Sequence, residues 1–269
     1  MSATSVNAGP RPRRVSLFVT CLLDHLSPQT AEAVVTILER QGLTVDVPAG
    51  QTCCGQPAFN GGFWDEARQM ARHTIRVLEK SNNPIVVPSG SCADMIVHHF
   101  PELFQDEPSW LARSERLASR VVEFSQFLVD HLGVTDLGAV AAGTLTYHAS
   151  CHLTRGLGVR RQPEALLAQV QGATIVALPQ ADECCGFGGL FSIKFPHIAE
   201  DMLANKLRHL EESGADCLVG CDYSCLLHIG AGLHRQGKAV RVVHLADILV
   251  NTGQKAWPEP PSAAPPAGQ

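Results

Sequence analysis

An α/β fold of two duplicated lobes with mainly parallel sheets is predicted by three observations. Short apolar, β-rich runs alternate with helical stretches along most of the 269 residues, the pattern of parallel α/β layers. The order of these runs in the first half recurs in the second. A Cys-Cys-Gly triplet stands at the same place in each half, at Cys53-Cys54-Gly55 and at Cys184-Cys185-Gly186.

In the first half, residues 15–21 form a short strand, and 28–41 a helix opened by Ser27 as N-cap and closed by Gly42. Residues 44–47 are a strand running into the first triplet, 64–80 a helix, 84–87 a strand and 93–99 a helical turn. Residues 109–132 read as one longer helix closed by Gly133. In the second half, 144–148 is a strand leading to Cys151, 163–170 a helix, and 174–178 a strand leading to the second triplet. A helix at 196–213 closed by Gly214, a strand at 216–219, a helix at 226–236, a strand at 240–243 and a short helix at 244–250 complete the order. The lobes are expected at 14–135 and 136–251. Tails at 1–13 and 252–269 flank them, the second Pro/Ala-rich and expected to be disordered. In both lobes the cysteines follow strands, at the carboxyl ends where open α/β sheets bind ligands.

Eight of the ten cysteines fall into two copies of one frame. Cys21 precedes the first triplet by 32 positions, and Cys92 follows Cys54 by 38. Cys151 precedes the second by 33, and Cys225 follows Cys185 by 40. Chance supplies about 0.03 such triplets at these Cys and Gly frequencies, so two in register form a specific motif. Thiolates gathered from three neighbouring strand ends hold metal, and a frame this rich in ligands points to iron–sulfur chemistry. Consecutive side chains diverge, so the vicinal pair implies an unusual cluster geometry or the use of one of its two thiolates. The glycine after each pair, with Gly61-Gly62 and Gly188-Gly189, lets backbone N–H groups approach an anionic cluster.

Composition narrows the field further. The net charge is −5 and is spread evenly over the two halves, so no basic face invites nucleic acid or an anionic membrane. No stretch approaches the ~20 apolar residues of a membrane span. Arg11-Pro-Arg-Arg14 ahead of the apolar run 15–23 mimics an export signal, but Asp24-His25 ends that run and Cys21 would be cleaved away with it. The chain is therefore expected in the cytoplasm, with reduced thiols.

Other readings compete. Free cysteine is often simply buried, which explains neither the pairs nor the repeat. Structural zinc favours C-x-x-C knuckles, and the chain has none. Cys217, inside an apolar strand, reads as a core residue, whereas Cys221 stands four positions before Cys225 as a candidate extra ligand. His152, directly after Cys151, either serves the centre or holds a structural hydrogen bond. His98-His99 read as a solvated helix end. Gly186-Phe-Gly-Gly189 lacks the spacing of a phosphate loop, and no flavin or nicotinamide fingerprint occurs. A chain with clusters alone moves electrons singly.

These residues resemble the cysteine-rich CCG proteins, and within them the lactate utilization protein A family, over roughly 14–250. The resemblance is carried by Val15-Ser-Leu-Phe-Val-Thr-Cys21, Cys53-Cys-Gly-Gln-Pro57, Pro88-Ser-Gly-Ser-Cys92, Ser150-Cys-His152, Cys184-Cys-Gly-Phe-Gly-Gly189, Ser224-Cys-Leu-Leu-His-Ile-Gly230 and Val242-Val-His-Leu-Ala246. It implies an iron–sulfur electron-transfer subunit that works with two further subunits in a complex oxidising L-lactate to pyruvate, not complete as an enzyme alone. It also implies clusters, [4Fe–4S] in related proteins, held by Cys21, Cys53, Cys54 and Cys92 in one lobe. In the other the implied ligands are Cys151, Cys184, Cys185 and Cys225. The iron–sulfur component of glycolate oxidase and the cluster-binding component of heterodisulfide reductase share such domains, so a disulfide-cleaving role is the alternative function. In the reductase each frame ends in Cys-x-x-Cys. This sequence departs from that pattern, with Met95 in the place of the last cysteine of the first frame and Cys221-x-x-x-Cys225 in the second. A zinc-stabilised scaffold is the non-enzymatic alternative.

Overall fold

A computed structural model describes residues 11–253. The tails expected at 1–13 and 252–269 lie outside these residues except for 11–13 and 252–253. The described chain builds two four-stranded, all-parallel sheets. The first contains β1 (Arg14–Leu17), β2 (Thr44–Asp46), β3 (Ile85–Val87) and β4 (Val121–Glu123), in the order β2-β1-β3-β4. The second contains β5 (Val140–His148), β6 (Gln171–Ile175), β7 (Cys217–Gly220) and β8 (Arg241–His244), in the equivalent order β6-β5-β7-β8. The registers match as well: Leu17 pairs with Val86 as Tyr147 pairs with Val219.

Side chains alternate across each sheet, as the twofold period of a strand requires. Val15, Leu17 and Val86 face one apolar cluster, while Ile85 and Val87 face another. In the second sheet Leu145, Tyr147, Cys217 and Val219 join the same cluster as Val15, whereas Leu218 faces a third. One core is thus shared by the two sheets and crosses residue 136, and each sheet has its own outer core. The helix Pro28–Arg40 of the first half lies in the shared core against Leu245–Leu249 of the second. Reciprocally, Phe124–Gln126 lies against Arg161–Leu167. Thr30 Oγ1 donates to Asp247 Oδ2 at 3.0 Å and Arg40 donates to the Val250 carbonyl at 2.7 Å, closing the edges of this contact. The outer faces are covered by Trp64–Leu78 and Pro196–Ser213.

The strand expected at 174–178 lies earlier, at Gln171–Ile175, and two further expectations need correction. The helix expected over 109–132 is interrupted: Pro108–Ala118 is helical, Val121–Glu123 is β4, and the chain then turns helical again through Phe127–His131 before Gly133 at φ +68°. Val121-Val122 carries no Gly or Pro breaker, so the helical pattern reads straight through it. β4 is strand because it pairs along β3, a tertiary contact that outweighs local propensity. The second correction concerns 15–21. β1 stops at Leu17, and Cys21 opens a short helix, Cys21–Leu26.

Candidate metal centre

β1 is flanked by β2 on one side and β3 on the other, so the chain leaves β1 in opposite directions and opens a crevice at its carboxyl end. That switch point is where open α/β sheets hold ligands. The first cysteine frame converges there. The side chain of Gln51, two residues before Cys53, accepts from Val19 N–H at 2.8 Å and donates to the Leu17 carbonyl at 2.9 Å, which stitches the loop after β1 to the first triplet. Gly55 adopts φ +87°, turning its N–H back onto Cys53 Sγ at 3.4 Å. Ser89 caps the helix Gly90–Asp94 by accepting from Cys92 N–H. Cys54 Sγ then lies 3.4 Å from Cys92 Sγ, and Cys53 bonds to both Cys21 and Cys54.

The second frame repeats this at the carboxyl ends of β5, β6 and β7. Cys184 bonds to Cys151 and Cys185, and Cys185 bonds to Cys225. Gly186, at φ +90°, sends its N–H to Cys184 Sγ at 3.5 Å; a Cβ there would stand 2.7 Å from the Ala199 carbonyl oxygen, so only glycine fits. The loop is anchored differently from its counterpart. Lys206, buried on Pro196–Ser213, donates to the Gln180 carbonyl at 2.8 Å and to the Ala181 carbonyl, and Arg155 donates to the Asp182 carbonyl at 3.1 Å.

In each group one thiol accepts from two others. Hydrogen bonds from Cys21 and then Cys54 push Cys53 down to about 3, and those from Cys151 and Cys185 push Cys184 down to about 2. The partners move the other way: the bond to Cys53 raises Cys21 and Cys54, and the bond to Cys184 raises Cys151 and Cys185. Cys54, Cys92, Cys185 and Cys225 are buried, while Cys21, Cys53, Cys151 and Cys184 are half-buried, so both groups open outward on one side.

The groups are tied to each other across the halves. Asp222 accepts from Ser91 N–H at 2.7 Å, Ser91 Oγ at 3.0 Å, Ser89 Oγ at 3.3 Å and Ser224 Oγ at 2.9 Å, joining the helix of Cys92 to that of Cys225. His152 Nδ1 pairs with Asp94 Oδ2 at 2.7 Å and Nε2 meets Gln56 Nε2 at 3.3 Å; the bond to Asp94 raises the imidazole's affinity for a proton. Burial pushes Asp94 up, but the bonds from His152 and His98 outweigh it and hold the carboxylate low. The two triplet loops also touch, since a Cβ on Gly189 would meet Pro57 at 3.3 Å and Lys194 Nζ donates to the Gly61 carbonyl at 2.9 Å.

The structure thus brings Cys21, Cys53, Cys54 and Cys92 together, and Cys151, Cys184, Cys185 and Cys225 together. Cys217 and Cys221 go elsewhere: both lie in the shared core, where Tyr147 donates its hydroxyl to Cys221 Sγ at 3.7 Å. Met95 is buried in the outer core of the first half. Four residues around the centres escape a reading of the sequence. His148 ends β5 with both ring nitrogens unpartnered among the described residues, and one lies within 4.8 Å of Cys185 Sγ and Cys225 Sγ. Burial pushes it down to about 3, so it is a neutral donor. His228 packs on Phe187 with Nε2 buried and, among the described residues, unpartnered; Lys206 and Asp222 are described above. The signal that could have found the histidines is the alignment of the frames, which sets Phe18 against His148 and Met95 against His228. The buried Ser150 hydroxyl, beside Cys151, also has no partner among the described residues. Four converging thiols per half, with orphaned polar atoms around the second group, fit a metal or iron–sulfur group.

Among the described residues no helix is long and apolar enough to cross a membrane. The chain matches the family model for the CCG cysteine-rich domain twice, over residues 15–97 and 145–230. It is 47% identical over 236 residues to lactate utilization protein A of Bacillus cytotoxicus, covering 88% of this chain and 98% of that one. To lactate utilization protein A of Geobacillus kaustophilus it is 48% identical with the same coverage, and to that of an Exiguobacterium strain 47% identical over 242 residues. In fold it is similar to a hypothetical protein of Helicobacter pylori whose crystal structure aligns with a TM-score of 0.62 at 11% identity, over 91% of this chain and 50% of that one. With two domain matches spanning most of its sheets and near-full-length relatives at this identity, the chain belongs to the lactate utilization protein A family of CCG cysteine-rich proteins.

Proposed function

We propose that this protein is the iron–sulfur electron-transfer subunit of a complex that oxidises L-lactate to pyruvate, serving growth on lactate. The observation that carries the reading is the convergence of four thiols at each of two switch points, in a chain so similar to lactate utilization proteins over their full length. Cys21, Cys53, Cys54 and Cys92 would hold one group, and Cys151, Cys184, Cys185 and Cys225 the other. Such a group, when bound, supplies one-electron transfer at a potential set by its ligands and their hydrogen bonds.

The chain's own residues do the rest. Gly55 and Gly186 direct N–H groups at Cys53 and Cys184, stabilising negative charge on those sulfurs. The buried pairs Cys54–Cys92 and Cys185–Cys225 form the dry floor of each crevice, and the half-buried cysteines face its mouth. Asp222, with the Asp94–His152 pair, holds the two groups at a constant separation, which electron exchange between them requires. This chain has no flavin or nicotinamide fingerprint, so hydride chemistry on lactate would draw on a group supplied from elsewhere in a complex with two further subunits. Cysteines set in two metal-type frames suit a reducing, cytoplasmic setting.

Anaerobic reconstitution followed by iron and acid-labile sulfide analysis tests the reading. Brown protein with iron and sulfide in both halves is expected. A colourless product holding zinc alone, or no metal, would overturn it.

A further inference from the structure

What each sulfur group meets besides sulfur differs at one position. The residue three places before Cys21 is Phe18, packed in the outer core with Cys54 and Cys92. The residue three places before Cys151 is His148, at the matching end of the matching strand. Phenylalanine shows that an apolar ring fills this place without polar cost. Histidine there leaves two ring nitrogens, both buried and both without a hydrogen bond among the described residues. A buried polar group left unpaired is costly, and native structures keep few of them without a reason. The surroundings supply the reason. One ring nitrogen, Cys185 Sγ and Cys225 Sγ lie within 4.8 Å of one another, a spread suited to donors gathered on one metal ion, whose bonds to nitrogen and sulfur are about 2.0–2.3 Å long.

We propose that His148 is a nitrogen ligand of the second centre, so that the second centre is mixed Cys/His while the first is all-sulfur. This rests on the iron–sulfur reading above. Added beside the four thiolates, a neutral imidazole brings a nitrogen donor to the second centre without adding negative charge. Lys206, buried under the second triplet, adds a cation that the first half replaces with Thr74. That cation sets the second centre at the higher potential, and the pair has a built-in direction.

Holo-protein purified anaerobically from cells fed 15N-histidine, reduced and examined by pulsed EPR, tests this. A strongly coupled nitrogen should change its pattern on 15N labelling in the wild type. It should vanish in His148→Phe while the first-half signal is unaltered. His148→Cys, which keeps a donor at the site, should hold its iron, lose the nitrogen coupling and lower the midpoint of the second centre; it answers the same question if the phenylalanine variant does not fold. Wild-type protein with full iron and sulfide but no histidine nitrogen coupling, or coupling that persists in the His148 variants, overturns the ligand and leaves electron transfer standing. Protein without iron overturns both.

Discussion

The two halves of this molecule share a topology, a register and a cysteine frame, yet differ in what surrounds the sulfur. Around the first group the matching positions hold Phe18, Thr74 and Met95; around the second they hold His148, Lys206 and His228. The helix after the last strand is also capped differently, by Glu123 in the first half and His244 in the second. Duplication kept what brings the thiols together, namely the strand order and the glycine after each pair. It let the polar shell diverge, because shell residues alter a centre's properties without dismantling its frame.

Substitution within the frames has the largest expected effect. Cys54→Ser and Cys185→Ser should each remove about half of the iron and sulfide, with loss of different EPR signals, because each group uses only its own half's thiols. Complete loss of iron from either change would mean the halves do not bind independently.

The shell should separate the halves next. Lys206→Met removes a cation from beneath the second triplet and leaves the Gln180 and Ala181 carbonyls without their donor. The midpoint of the second centre should fall, and denaturant unfolding should show a loss of about 1–3 kcal/mol. At the matching place Thr74 Oγ1 is buried with no partner among the described residues, so Thr74→Val should leave both midpoints alone and cost nothing in stability, or raise it by up to ~1 kcal/mol.

The caps differ in the sign of their pH response. Burial raises Glu123 from its ordinary 4.5 to about 7, so its protonated form suits the fold; stability is full below pH 4.5 and falls as pH rises toward 7. Burial lowers His244 from 6.5 to about 4, so its neutral form suits the fold; stability is full above pH 6.5 and falls as pH drops toward 4. Each contributes roughly 3 kcal/mol at most. In denaturant titrations of the full chain, Glu123→Gln should flatten the first slope and His244→Asn the second. An unchanged profile in Glu123→Gln would mean that this carboxyl is ionised in the folded protein.

How much could be read beforehand follows from where the information sits. The helix at 196–213 was legible to the residue, because Pro196 at its start and Gly214 in the left-handed region at its end are local signals. β4 was not, since three residues without breakers are strand only through pairing with β3. The grouping of eight cysteines into two sets of four was legible from their spacing. Cys221 looked like a ninth candidate by proximity to Cys225, but β7 and the following turn aim it into the shared core.

By itself the sequence determined the duplication, the alternation of strand and helix, and the donor type, because periodicity, breakers and cysteine spacing are properties of neighbours along the chain. Only the tertiary structure decided that the halves share one core, that Asp222 and His152 bind across them, and that His148 meets Cys185 and Cys225. Those contacts join strand ends and helices that are distant along the chain. Their pairing depends on which β-strand lies beside which, and no short-range pattern encodes that.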